Sequence, residues 1–308
     1  APLLLGVLCV LTVALALRHL NIWKRSNMNN VKSLFCFREG SILLGSRTYI
    51  MGIINVTPDS FSDGGDNFLP ENAIETAITM EKQGADILDI GGQSTRPGST
   101  LISAEEEWNR LKNILPLILE KTSLPVSVDT FYPEVAENAL RMGCHIINDV
   151  SGNVNAQMAE VVKKYNAGWV LMHSGEEKDT DISHCVHNRL ENMLNTAISY
   201  GIAAENICLD PGIGFGKTYN QNLNLIAETN RVRLEGVAYL LGLSRKRVIG
   251  EGSGDSSIPF KDRDFGTVAA NTVGILGGAD ILRVHNVSAA VQSARMTDSL
   301  IKRRANNG

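Results

Sequence analysis

From residue 49 onward the chain alternates between two textures. Short runs of β-branched and other apolar residues are followed by longer stretches in which apolar positions recur with a helical period. The short runs are Tyr49–Val56, Ile87–Ile90, Pro125–Asp129, His145–Asp149, Gly168–Met172, Asn206–Asp210, Ala238–Leu243 and Ile281–Val284. Between the first two, residues 71–83 place Ala73, Ile74, Ala77, Ile78 and Met80 largely on one face, and Gly84 supplies a stop. Ala104–Lys121, Pro133–Met142 and Ala156–Tyr165 follow the same pattern, with Gly143 and Gly168 placed where a helix must turn back into a strand. Thr267–Leu276 ends at paired glycines, and Ser288–Arg304 reads as a terminal helix with a basic end.

Eight strand–helix units predict an α/β protein, specifically a (β/α)8 TIM barrel, for which roughly 250 residues is usual. A doubly wound open sheet shares the alternation, although no G-x-G-x-x-G follows the first run. Residues 35–46 read as a small hairpin that closes the barrel floor. The domain expectation is a single barrel over 31–308, preceded by an apolar leader and polar linker over 1–30. Pro2–Leu17 is uncharged and almost wholly apolar, and residues 21–30 are rich in asparagine. That apolar run is short of the roughly 20 residues of a membrane span. It resembles the apolar region of a signal peptide, with Ala14-Leu15-Ala16 as a small-x-small pattern.

Composition narrows the classes further. The 308 residues are 44% hydrophobic and 20% charged, which supplies enough apolar material for a packed core and excludes wholesale disorder. A formal charge of −4 leaves no basic footprint for nucleic acid. The five cysteines are scattered with no C-x-x-C pair, which argues against a disulfide scaffold and for a reducing, cytoplasmic setting. Membrane contact is expected only through residues 2–17, as an anchor, a targeting remnant or a misplaced start.

The candidate chemistry lies where a barrel requires it, at the C-terminal ends of the strands. Those ends carry Asn55, Asp89, Asp129, Asn148, His173, Asp210, Ser244 with Arg245 and Lys246, and Arg283 with His285. Two glycine- and hydroxyl-rich loops, 55–65 and 89–98, read as covers over a pocket. Residues 211–218 nearly spell a phosphate-binding P-loop, but Pro211 holds the first glycine position and Asp210 would oppose a phosphate. Asp181, His184, Cys185 and His187 do not complete a metal site at a defined ligand spacing and read as a polar helical face.

Seven segments then stand in register on successive strand ends. They are N-V-T-P-D-S-F-S-D-G-G (55–65), D-I-G-G-Q-S-T-R-P-G (89–98), S-V-D-T (127–130), I-N-D-V-S-G (147–152), D-P-G-I-G-F-G-K (210–217), S-R-K-R (244–247) and R-V-H-N-V (283–287). Together they resemble the dihydropteroate synthase family, the pterin-binding barrels of folate biosynthesis that are sulfonamide targets. Gln93 departs from the glutamate that many members carry.

The resemblance implies a transferase that condenses 6-hydroxymethyl-7,8-dihydropterin pyrophosphate with p-aminobenzoate, giving dihydropteroate and pyrophosphate. It implies catalytic roles for Asp129, Lys246 and Arg283. It implies substrate binding by Thr95, Arg96, Asp129, Asn148, Asp210, Phe215, Lys246, Arg283, Val284 and His285. Asn55 matches the family's ligand for Mg2+, and a homodimer is expected through helices near the C-terminus. Phe61, Pro97 and Phe215 resemble the apolar walls of the aminobenzoate site, with Ser244, Lys246 and Arg247 near its carboxylate end. Two further readings remain beside this one: a corrinoid-dependent methyltransferase that shares the barrel and pterin pocket, and a pterin-binding protein without catalysis.

Overall fold

The computed structural model describes residues 33–56, 70–94, 99–255 and 257–305. A hairpin of β1 (Leu34–Phe37) and β2 (Gly40–Leu43) precedes the barrel. The barrel strands are β3 (Tyr49–Asn55), β4 (Ile87–Gly91), β5 (Val126–Asp129), β6 (Ile146–Asp149), β7 (Gly168–Met172), β8 (Ile207–Asp210), β9 (Ala238–Leu241) and β10 (Ile281–Val284). All neighbours pair in parallel, and β10 joins both β9 and β3, so the sheet closes on itself. The eight runs read from the sequence are the eight barrel strands.

The helices are α1 (Pro70–Gln83), α2 (Ala104–Leu111), α3 (Leu115–Lys121), α4 (Pro133–Met142), α5 (Ala156–Tyr165), α6 (Ile182–Ser199), α7 (Tyr219–Ala227), α8 (Thr229–Val232), α9 (Arg247–Gly252), α10 (Asp264–Leu276) and α11 (Val287–Ala305). One expectation needs correction: Ala104–Lys121 is two helices. Pro116 sits in the first turn of α3, where its missing N–H is harmless, whereas in a continuous helix its ring would clash with the preceding turn. A second correction concerns Gly168. The left-handed turn that ends α5 falls on Asn166, at φ 49°. Gly168 is already in β7, where an added Cβ would lie 2.8 Å from the Phe35 ring.

That contact explains the hairpin. Successive strand residues point to opposite faces, so each barrel strand has an inner and an outer set. The outer set, with Leu88, Ile90, Val128, Ile147, Leu209 and Leu282, packs against the helices. The inner set at the lower end, with Met51, Ile87, Ile146, Val170, Cys208, Leu240 and Ile281, packs on Phe35, Phe37 and Leu44. The hairpin thus plugs the N-terminal end of the barrel with two aromatic rings set edge to face, 5.8 Å apart. At the same end Asp298 of α11 accepts hydrogen bonds from the Thr48 amide (2.7 Å) and hydroxyl (3.0 Å), tying the last helix to the first barrel strand. Among the described residues no helix is long and apolar enough to cross a membrane. The leader lies outside the described residues.

Because Phe35 is fully buried in the floor, Phe35→Ala is expected to lower unfolding free energy by about 3–4 kcal/mol in urea titration. A loss below about 1 kcal/mol would mean that the hairpin does not seal the barrel.

Candidate active site

Two residues above the apolar floor, the inner face becomes ionic. Arg283 of β10 reaches across the barrel. Its Nε lies 2.6 Å from Asp89 Oδ2 on β4, and its Nη2 lies 2.6 Å from Asp129 Oδ2 on β5. Asn148 of β6 donates its amide to the same Asp89 oxygen at 3.1 Å. Asp89 is completely buried, and Asp129 and Asn148 nearly so. Asp89 Oδ1 and Asp129 Oδ1 are buried with no hydrogen-bond partner among the described residues. An arginine can hold two carboxylates in this way because its donors form a rigid plane; it retains further N–H groups for a ligand.

Asp210, at the end of β8, accepts the Gly212 amide at 2.7 Å through one carboxylate oxygen. Lys246, which precedes α9, donates its ammonium to the Ile213 carbonyl and lies 4.5 Å above the centre of the Phe215 ring. The backbone loop after β8 therefore touches both the anion and the cation on this side of the mouth. Asn55 ends β3 half-buried, and its Oδ1 lies 3.8 Å from where a Cβ on Gly91 would stand, on the same side as Asp129.

Burial dominates the electrostatics. It raises the Asp129 and Asp210 carboxyls above the ordinary range, while Arg283 and Lys246 respectively pull them back. It lowers the Lys246 ammonium to about 8 against the attraction of Asp210. Burial also works against the Arg283 charge, but the attraction of Asp89 and Asp129 outweighs it and holds the guanidinium firmly protonated.

The remaining expectations divide. His285 sits at the mouth with Nδ1 3.0 Å from Ser244 Oγ, and its ring meets Phe260 edge to face at 5.1 Å. Val284 is turned the other way: its side chain belongs to the core between barrel and helices, so only its backbone faces a ligand. That orientation follows from the alternation that points Arg283 inward, and leaves substrate contact at this position to the backbone. Arg245 is held by Asp264 at 2.6 and 2.7 Å, and Arg247 pairs with Glu251 on the exposed side of α9. Thr95, Arg96, Phe61 and Pro97 lie outside the described residues. Asp181 caps α6 and pairs with Arg231 at 2.7 Å, while His187 lies 3.2 Å from the Val232 carbonyl. Among the described residues no group of three or more His, Cys, Asp or Glu side chains could hold a metal ion.

Three residues that matter here received no role of their own from sequence. Asp89, one of the strand ends, proves to be the anchor of Arg283. Lys217, the lysine of the P-loop look-alike, is half-buried and donates to the carbonyls of Gly212 and Phe215 at 3.0 Å and of His173 at 3.3 Å. Glu107 of α2 is wholly buried and accepts the Thr130 hydroxyl at 2.9 Å, one residue past Asp129. Its Cγ would lie 2.9 Å from a Cβ on Gly92, so glycine there admits the packing of α2 against the start of the second loop.

A family model described as "Pterin binding enzyme" matches residues 51–285. The dihydropteroate synthase of Clostridium beijerinckii is 43% identical over 263 residues, covering 84% of this chain and 97% of that protein. Among solved structures, the dihydropteroate synthase of Clostridium difficile in the presence of pteroic acid is 43% identical. It aligns with a TM-score of 0.79, over 83% of this chain and 98% of that one. The dihydropteroate synthase of Xanthomonas albilineans with 4-aminobenzoic acid is 39% identical, with a TM-score of 0.81 over 87% and 98% of the two chains.

Glu107 supplies a pH test of the site's frame. Burial raises its carboxyl from 4.5 to about 8, against the hydrogen bond from Thr130. A raised acid contributes most to stability below its unfolded value, and that contribution is lost as pH rises through the folded value. Between pH 5.5 and 8.5, Glu107→Gln is therefore expected to gain roughly 2–3 kcal/mol relative to the parent chain in denaturant titrations. A pH-independent difference would show that Glu107 is ionised throughout.

Proposed function

We propose, from the premise that the chain belongs to the dihydropteroate synthase family of pterin-binding enzymes, that its barrel mouth joins a dihydropterin to p-aminobenzoate. The substrates are 6-hydroxymethyl-7,8-dihydropterin pyrophosphate and p-aminobenzoate; the products are 7,8-dihydropteroate and pyrophosphate. The observation that carries the assignment of roles is the pair of buried carboxylate oxygens on Asp89 and Asp129, beside Arg283, that have no hydrogen-bond partner among the described residues. Buried acceptors without donors are rare, and a reduced pterin presents a row of N–H donors along its edge.

In this reading Asp129, Asn148 and Asp210 take the pterin edge, and Lys246 lies over its ring. Charge-assisted hydrogen bonds of this kind are roughly twice as strong as neutral ones. The pyrophosphate binds on the opposite side, against the unused N–H groups of Arg283 and against His285, and Thr95 and Arg96 of the second loop are assigned to substrate by the family's motif. The C–O bond at the exocyclic methylene breaks with its electron pair leaving on pyrophosphate. The electron-rich pterin and the Asp129 carboxylate stabilise the cation left behind. The aryl amine then forms the C–N bond and releases a proton. As a weak nucleophile it is positioned rather than activated, with Phe215 as one wall of its site.

The donor chemistry at Asn55 fits Mg2+ in a limited way. One carboxamide oxygen suits a hard cation that is otherwise held by water and substrate phosphate, and it does not suit an all-protein cage. Asn55 would hold the ion against the pyrophosphate, where Mg2+ would supply charge neutralisation of the leaving group.

The assembly proposed is a homodimer through α10 and α11. Phe265 at the start of α10 is 91% exposed, and Met296 and Leu300 of α11, one helical turn apart, are 60% and 54% exposed. Leu300→Glu is expected to shift the protein to monomer in sedimentation velocity; a parent chain that sediments as a monomer would remove the proposal.

Purified protein with Mg2+ and both substrates should release pyrophosphate and dihydropteroate in equal amounts. Asp129→Asn is expected to lower turnover by roughly 10²–10³-fold, the scale of losing one buried electrostatic group. Pterin binding without product would leave a binding protein in place of an enzyme, and near-normal turnover of Asp129→Asn would remove its role.

A further inference from the structure

We infer that Lys217 is a positioning residue of the pterin pocket, acting from beneath the loop 211–217 on Asp210, Phe215 and Lys246. The inference rests on the functional reading above and adds a residue to it. Lys217 lies outside the ring of groups expected to touch substrate, and a P-loop lysine would aim at phosphate. Here its ammonium gathers three backbone carbonyls, those of Gly212 and Phe215 at 3.0 Å and of His173 at 3.3 Å, and feels the attraction of the Asp210 and Glu177 carboxylates without a hydrogen bond to either among the described residues. An ammonium has three protons, so its hydrogen-bonding capacity is filled.

Each of those carbonyls belongs to a segment that sets part of the pocket. The Gly212 peptide donates its N–H to Asp210 at 2.7 Å, so fixing Gly212 fixes the direction of that carboxylate. The Phe215 carbonyl anchors the ring that underlies the Lys246 ammonium, and the Ile213 carbonyl between them accepts from Lys246 itself. The His173 carbonyl belongs to the end of β7, whose amide in turn donates to the Asp210 carbonyl at 2.9 Å. The loop has no slack with which to relax. Gly212 has φ +68°, and a Cβ there would fall 1.8 Å from the His173 carbonyl oxygen.

Without the ammonium, three carbonyls lose their shared donor and the loop loses the point that holds it to β7. The groups displaced would be those that bind the pterin, while the Arg283–Asp89–Asp129 cluster across the barrel has no contact with Lys217. Lys217→Met should therefore raise the KM for the dihydropterin pyrophosphate at least tenfold and leave kcat within about threefold. Its dissociation constant for pterin itself, read by quenching of pterin fluorescence, should rise in parallel. That binding readout needs no turnover, so it stands even if the parent chain makes no dihydropteroate, which would sink the functional reading alone.

A purely structural lysine would lower the melting temperature and leave pterin affinity in the folded fraction unchanged. Pterin binding by Lys217→Met within twofold of the parent would therefore overturn the inference. Should that variant not fold, Lys217→Arg decides. It keeps the charge, but its planar fork cannot converge on three carbonyls, so a pterin affinity at least threefold weaker is expected and parental affinity is the contrary result.

Discussion

One buried guanidinium organises the mouth of this barrel. Arg283 stands on β10 and pairs with carboxylates on β4 and β5, so its two bonds cross the interior rather than follow the sheet. Taking such charges out of water is costly by several kcal/mol per ion, and attraction offsets that only when geometry is good and further hydrogen bonds are present. Both conditions are visible: the contacts are 2.6 Å, and Asn148 adds a donor to Asp89. Yet the compensation is incomplete, because one oxygen on each aspartate has no partner among the described residues. The site thus holds acceptors whose hydrogen-bonding capacity a ligand with N–H donors can complete.

The floor and the mouth are consequences of one periodicity. Inner-facing positions are two residues apart, and in four strands that single step passes from an apolar to a polar side chain. The pairs are Ile87 and Asp89, Ile146 and Asn148, Cys208 and Asp210, Ile281 and Arg283. Below the step, Phe35 and Phe37 close the barrel and exclude water. Above it, the charges lie over a dry base, where electrostatic interactions are stronger than in solvent. The opposite displacements of the Asp210 carboxyl, upward, and the Lys246 ammonium, downward, have this common origin in burial. The hairpin is remote from the chemistry, but it sets the dielectric in which the chemistry occurs.

The strands and strand-end residues were legible because each apolar run closes on a polar residue that a barrel must direct to its mouth. The hairpin was legible as a short apolar pair outside the βα rhythm. What was obscured had physical reasons. The break between α2 and α3 was signalled by Pro116, but the apolar period runs through it and masks the interruption. Gly168 looked like a helix stop, whereas its lack of a side chain serves the approach of Phe35, a contact between segments far apart in sequence. Glu107 follows Glu105 and Glu106 in a run that reads as a solvated first turn, and only tertiary packing reveals the third as buried. The outward turn of the Val284 side chain was legible too, since a strand that points Arg283 inward must point its neighbour outward.

The look-alike P-loop shows how one local chemistry serves a different end. Glycines at 212, 214 and 216 all adopt positive φ, as a tight anion-binding turn requires, and the Gly212 amide does bind an anion. That anion is the chain's own Asp210 carboxylate. With the turn satisfied from within, phosphate has neither the amide nor the lysine to recruit, because Lys217 is committed to carbonyls on the other side. A backbone turn that could have held a diffusible phosphate instead fixes a carboxylate, and an oriented carboxylate recognises N–H donors. That this turn holds a carboxylate in place of a phosphate therefore follows from Asp210 preceding Pro211, an order that the sequence shows and only the fold explains.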